Sequence, residues 1–160
     1  MELIRVGMAD LKVASFPSIL TTLGLGSCVG VTLYDYKVKV IGMAHIMLPS
    51  SKIAKANTNR AKFADTGITD LVEGMIRLGA NHKDLRAKIA GGAQMFSFAG
   101  TSDVMKIGDR NTEAVKVMLK IVNIPLISED TGGNHGRTIE ISSMDGRLMV
   151  KTIGYGVKYI

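Results

Sequence analysis

Two stretches in the first third of the chain, Cys28–Asp35 (CVGVTLYD) and Val38–Leu48 (VKVIGMAHIML), restrict the fold more than any other feature of the sequence. Each is strand-length and dense in β-branched and apolar residues, and Pro49 ends the second. Strand side chains alternate between faces, so Val29, Val31 and Leu33 share one face and Cys28, Gly30 and Thr32 the other. In the second run Val40, Ala44, Ile46 and Leu48 alternate with Ile41, Met43, His45 and Met47. Both faces are largely apolar. A sheet built on these strands must therefore be covered on both sides by further layers.

The remaining chain supplies those layers. Met1 to Val13 reads as one or two short strands, and Ile19 to Gly26 as an approach to a glycine-punctuated bend. Asp65 or Thr66 can cap a helix carrying Ile68, Leu71, Val72, Met75 and Ile76 at helical spacing, with Gly79 as its stop. Asp109 or Asn111 can cap a second helix with Ala114, Val115, Met118, Leu119 and Val122 inward. Leu85–Ala90 and Ile124–Ser128 read as strands, and Arg137–Met144 and Arg147–Ile153 as a hairpin around Asp145-Gly146. Two helices and about eight strands predict one α/β domain over residues 1–160, with mixed and largely antiparallel pairing.

Composition narrows the setting. The 160 residues are 46% hydrophobic and 21% charged, as in an ordinary globular domain. No run approaches the roughly 18 apolar residues of a membrane span. The start, MELIRVGMAD, lacks the basic-then-apolar order of a signal peptide. A single cysteine cannot form an internal disulfide, and a reducing cytoplasm suits it. The net charge of +6 comes from Lys and Arg spread along the chain, and aromatics are only 5%. That is too few for base-stacking platforms, so an acidic protein partner is favoured over nucleic acid.

The chemistry concentrates on Cys28 and His45. If the hairpin loop centres on Tyr36-Lys37 with two or four residues, Cys28 lies directly across from His45, and such pairs have Cβ atoms roughly 4.5–5.5 Å apart. An odd loop length would place them on opposite faces. A lone strand cysteine is ordinarily a small buried hydrophobe, but a facing imidazolium would lower its pKa and favour the nucleophilic thiolate. The approach Gly24-Leu25-Gly26-Ser27 lets the backbone N–H groups of Gly26, Ser27 or Cys28 come close to a developing oxyanion. A third group that orients the imidazole could be Thr21, Thr22 or a carboxylate from elsewhere.

Other polar residues read more plainly. Glu129–Asn134 is expected to be a tight loop whose carboxylates cap backbone amides. His82 is expected in an exposed turn, and His135 is a rival base in a glycine-rich loop. The separations of the three histidines, 37 and 53 residues, follow no zinc-ligand spacing.

The run TTLGLGSCVGV (Thr21–Val31), followed by GMAHIMLP (Gly42–Pro49), resembles the signature of the CheD family of chemoreceptor glutamine deamidases. KFADTGI, KIAGGAQMF, IGDRN and ISEDTGGNHGR continue the match in family order to Arg137. The resemblance implies a layered α/β/β fold like that of deamidating bacterial toxins. It implies Cys28 as nucleophile, His45 as base and Thr22 as support, with no metal or organic cofactor. It implies conversion of selected glutamines on cytoplasmic receptor helices to glutamate, and in many species a partnership with CheC, a phosphatase of phosphorylated CheY. The Ser50–Arg60 loop, with Lys52, Lys55 and Arg60, is then expected to grip an acidic receptor helix. A monomer is expected. The competing expectation is a CheC-binding module with weak deamidase activity.

Overall fold

The computed structural model describes residues 1–54, 59–95 and 106–160. In chain order its elements are β1 (Glu2–Arg5), β2 (Leu11–Ser15), β3 (Ser18–Leu25), β4 (Val29–Asp35), β5 (Val40–Ile46), α1 (Ala64–Arg77), β6 (Leu85–Gly91), α2 (Ile107–Ile121), β7 (Leu126–Thr131), β8 (Arg137–Ser142), β9 (Leu148–Thr152) and β10 (Gly156–Tyr159). They form two five-stranded sheets, a central one ordered β2-β5-β4-β6-β7 and an outer one ordered β1-β3-β8-β9-β10. Among the named strands β1–β3 and β6–β7 pair in parallel and the other pairings are antiparallel.

The two-sided apolarity of β4 and β5 is satisfied as the sequence requires. Val29, Val31, Leu33, Val40, Ala44 and Ile46 face the helices, packing with Ile68, Leu71 and Met75 of α1 and Val115 and Leu119 of α2. Cys28, Ile41 and Met43 face the outer sheet, packing with Leu20, Leu25, Ile139, Ile141 and Val150. The layers run α, β, β, as the resemblance implied.

Two strands escape the sequence reading. β3 is a true strand despite Gly24 near its end, with an irregular register between Thr22 and Leu25 in its pairing with β8. β10 is an edge strand with every residue exposed, so it carries no burial pattern to read. The helix starts also differ. α1 has Phe63 at its cap, whose ring offers no acceptor for a cap bond, and the Asp65 carboxylate in the first turn takes the N–H (3.0 Å) and hydroxyl (2.8 Å) of Ser51. Ile76 is exposed rather than inward. α2 starts upstream of both cap candidates, with Asp109 in its first turn and Asn111 fully buried inside it.

The β4–β5 register differs from the expected one by two residues. Asp35 Oδ1 accepts the N–H groups of Lys37 (2.9 Å) and Val38 (3.4 Å), and Lys39 adopts φ +56°, so the loop is Tyr36–Lys39. Gly30, not Cys28, therefore pairs with His45. A two-residue displacement preserves the face, and Cys28 and His45 both point toward the outer sheet.

α1 sits almost directly on β5 at Gly42, where an added Cβ would lie 2.8 Å from Met75 Sδ and 2.9 Å from Leu71 Cδ1. Gly42→Ala should cost about 1–3 kcal/mol by overpacking. Urea unfolding with an unchanged slope and a lowered midpoint is the expected result.

Candidate active site

The site lies between the sheets, where β3 of the outer sheet meets β4 and β5 of the central one. His45 is completely buried. Its Nδ1 lies 2.8 Å from Thr22 Oγ1, and the same hydroxyl donates to Val6 O at 2.7 Å. Only one tautomer satisfies all three groups. Thr22 gives its single proton to Val6 O and accepts Nδ1–H, which leaves the Nε2 lone pair bare. Nε2 has no hydrogen-bond partner among the described residues. Thr21 instead donates to Ile139 O (2.9 Å), so of the candidate orienting groups it is Thr22 that reaches the ring.

Cys28 lies in the turn between β3 and β4, on the same side of the central sheet as His45 and 7% exposed. The structure thus joins Thr22 to His45 and sets Cys28 on their side of the sheet, with no hydrogen bond to Nε2. Burial pushes the Cys28 thiol up, only partly offset by its own backbone N–H, and burial pushes the His45 imidazole down. Burial therefore opposes the expected thiolate–imidazolium pair, and both shifts point toward a neutral resting pair, because a dry interior penalises each charged form.

The turn carrying Cys28 is held through its carbonyls. Gly26 O accepts Ala93 N–H (2.8 Å), Cys28 O accepts Gly92 N–H (2.9 Å), and Ser27 O accepts Asn111 Nδ2 (3.0 Å). Of the N–H groups, that of Gly26 is spent on Gly24 O (3.0 Å), while those of Ser27 and Cys28 donate to no other described residue, the Cys28 N–H acting on its own sulfur. Residue 26 contributes space: a Cβ there would lie 3.0 Å from Met95 Cγ.

Asn111 is the residue the sequence reading missed. Its signal was the α2 stripe, since counting back by fours from the buried Leu119 and Val115 reaches 111. Its Nδ2 also donates to Met47 O (2.9 Å). Behind the turn, the buried Arg137 guanidinium reaches Gly91 O (3.3 Å), Gly132 O (2.9 Å) and Asp130 Oδ2 (3.2 Å).

Glu129–Thr131 belong to β7, and their carboxylates do not cap amides as expected. Asp130 meets Arg137 and Lys158, and Glu129 meets Thr131 Oγ1 and Lys116. His82 Nε2 lies 2.7 Å from Val122 O and is half-buried, not an exposed turn residue. His135 stacks at a tilt on Tyr155, ring centroids 4.4 Å apart. Lys55 lies outside the described residues, and Arg60 is committed to a two-pronged pair with Asp70 at 2.8 Å. Among the described residues, no cluster of three or more His, Cys, Asp or Glu could hold a metal, and no helix is long and apolar enough to cross a membrane.

The model of the family described as CheD chemotactic sensory transduction matches residues 47–152. A probable chemoreceptor glutamine deamidase CheD of Caldanaerobacter subterraneus subsp. tengcongensis is 61% identical over 159 residues, 99% of this chain and 98% of that protein. The chain belongs to the CheD family. The chemoreceptor glutamine deamidase CheD of Bacillus subtilis is 49% identical over 158 residues, 98% of this chain and 95% of that protein. The CheD family model begins downstream of Cys28 and His45, whereas these relatives align over nearly the whole chain. The crystal structure of Neisseria meningitidis protein NMB0706 shares the fold, with a TM-score of 0.53 at 8% identity, over 83% of this chain and 64% of that one.

Thr22→Val strips both Val6 O and His45 Nδ1 of a buried partner and should cost about 1–3 kcal/mol. In ¹⁵N NMR of the histidine rings, wild type should show the Nδ1-protonated neutral form, and the variant should lose that preference. Alkylation of Cys28 by iodoacetamide should be slow at pH 7 and still climbing above the ordinary thiol pKa of about 8.5. A plateau reached below pH 8 would contradict the neutral resting pair.

Proposed function

We propose that this chain is a protein-glutamine deamidase that converts glutamines on the cytoplasmic helices of chemoreceptors to glutamate. The observation that carries the reading is the imidazole of His45, anchored at Nδ1 by Thr22 and bare at Nε2, on the same side of the sheet as Cys28. The names of the full-length relatives point the same way. With Cys28 only 7% exposed, a slender side-chain amide suits the site better than a peptide bond, whose backbone would have to enter with it.

The chemistry begins from the neutral pair. As Cys28 Sγ bonds to the amide carbon, His45 Nε2 takes the thiol proton, so nucleophile and base are activated only with substrate in place. The N–H groups of Ser27 and Cys28 meet the oxyanion, each such donor being worth about 3 kcal/mol in acyl transfer. Gly26, whose own N–H is spent, provides clearance beside them. The C–N bond then breaks, and nitrogen leaves as ammonia with the proton held by His45. Water attacks the thioester with His45 as base, the C–S bond breaks, and the proton returns to sulfur, leaving glutamate. Thr22 keeps Nε2 as the working nitrogen throughout.

The test is mass spectrometry of a receptor cytoplasmic fragment incubated with the protein. Selected glutamines should each gain about one dalton, Cys28→Ala should abolish the gain, and His45→Ala should slow it by roughly 10²–10⁴-fold. A gain that persists in Cys28→Ala sinks the nucleophile assignment. A wild-type protein inert toward every cognate receptor leaves the CheC-binding module in its place, and chain cleavage or amine incorporation would mark a protease or transglutaminase.

A further inference from the structure

We propose that Asn111 is a positioning residue that fixes the Ser27–Cys28 peptide so that the Cys28 N–H faces the reacting oxygen. The proposal rests on the deamidase reading and names a part of that site which none of its reacting groups supplies. Asn111 is completely buried in the second turn of α2, an uncommon place for a primary amide. Its Nδ2 donates to Ser27 O at 3.0 Å and Met47 O at 2.9 Å, while Oδ1 has no partner among the described residues. Two carbonyl acceptors can be served only by the NH₂ end, so the orientation of the amide is decided by these bonds alone. One amide therefore clamps a carbonyl adjacent to Cys28 and another two residues beyond His45.

The consequence follows from peptide geometry. The Ser27–Cys28 unit is planar and trans, so its C=O and its N–H point in opposite directions. Holding Ser27 O toward α2 turns the Cys28 N–H away from α2. Without Asn111 that peptide could rotate, since Ser27 O has no other partner among the described residues. The helix is pressed into place to make this bond. A Cβ on Gly108 would lie 2.5 Å from Ala93 O and 2.6 Å from Gly92 O, and those two residues bond Gly26 O and Cys28 O through their own N–H groups. His45, by contrast, is held by Thr22, by its pairing with Gly30 and by its N–H to Asp10 O (3.0 Å), none of which involves α2.

Two reagents separate a positioning role from a merely structural one. Acylation of Cys28 by p-nitrophenyl acetate passes through an oxyanion, whereas alkylation by iodoacetamide does not. In full-length Asn111→Leu, acylation should fall about 100-fold and alkylation stay within about threefold, as for loss of one oxyanion donor. On a receptor fragment, kcat should fall by a similar factor with KM unchanged. Gly108→Ala, which shifts α2 without touching Asn111, should show the same imbalance and stands in if Asn111→Leu does not fold. Equal losses with both reagents, or no loss with either, overturn the proposal, as does a wild-type acylation rate no greater than that of N-acetylcysteine. A wild-type protein that is acylated rapidly but deamidates no receptor fails the deamidase reading and leaves the assignment of Asn111 standing.

Discussion

The hydrogen bond from His45 to Thr22 crosses from one sheet to the other, and the geometry of the site depends on it. Thr22 stands on β3 of the outer sheet and His45 on β5 of the central one. Packed sheets lie about 10 Å apart, so a side chain from each must meet midway with little room for error. The surrounding Leu20, Leu25, Ile41, Met43 and Ile139 keep water out, which makes the bond expensive to leave unmade. Because the same hydroxyl binds Val6 O just beyond β1, three chain segments agree on one ring orientation.

The same dryness sets the electrical character of the site. Among the described residues neither Cys28 nor His45 has a charge partner that would stabilise its ionised form, and burial moves the two pKa values apart. An ion pair there would bear the desolvation penalty of both members. Burial thus favours an uncharged pair at rest, and charge that develops during reaction is where preorganised dipoles count most.

Much of this was legible in the sequence, for reasons that differ by residue. The period-two apolarity of β4 and β5 gave the layers, because both faces of those strands had to be covered. With an even hairpin loop assumed, Cys28 and His45 fell on one side, and that parity survives a two-residue error in register. The register itself was not legible, because it turns on the Asp35 carboxylate and on Lys39 in a left-handed conformation, neither of which is a common hairpin signal. The orienting threonine was narrowed to two neighbours by residue type, and only three-dimensional placement separates Thr21 from Thr22. Asn111 was misread as a cap because asparagine favours helix starts. Its role depends on carbonyls from two distant segments. β10, wholly exposed, offers no periodicity to detect.

The contact between α2 and the chain after β6 bears on how such a sequence can drift. Gly108 rests on the backbone of Gly92 and Ala93, and Gly92 adopts φ +64° with Thr112 against it. A methyl group at Gly108 meets only backbone, and one at Gly92 meets the Thr112 side chain and the Gly108 carbonyl in a left-handed conformation that side chains rarely adopt. Replacements at the two positions cannot compensate one another, since each enlarges the same closed gap. Tolerance to change should then be narrowest at this helix crossing, away from the reacting sulfur, while the fully exposed β10 is free to vary.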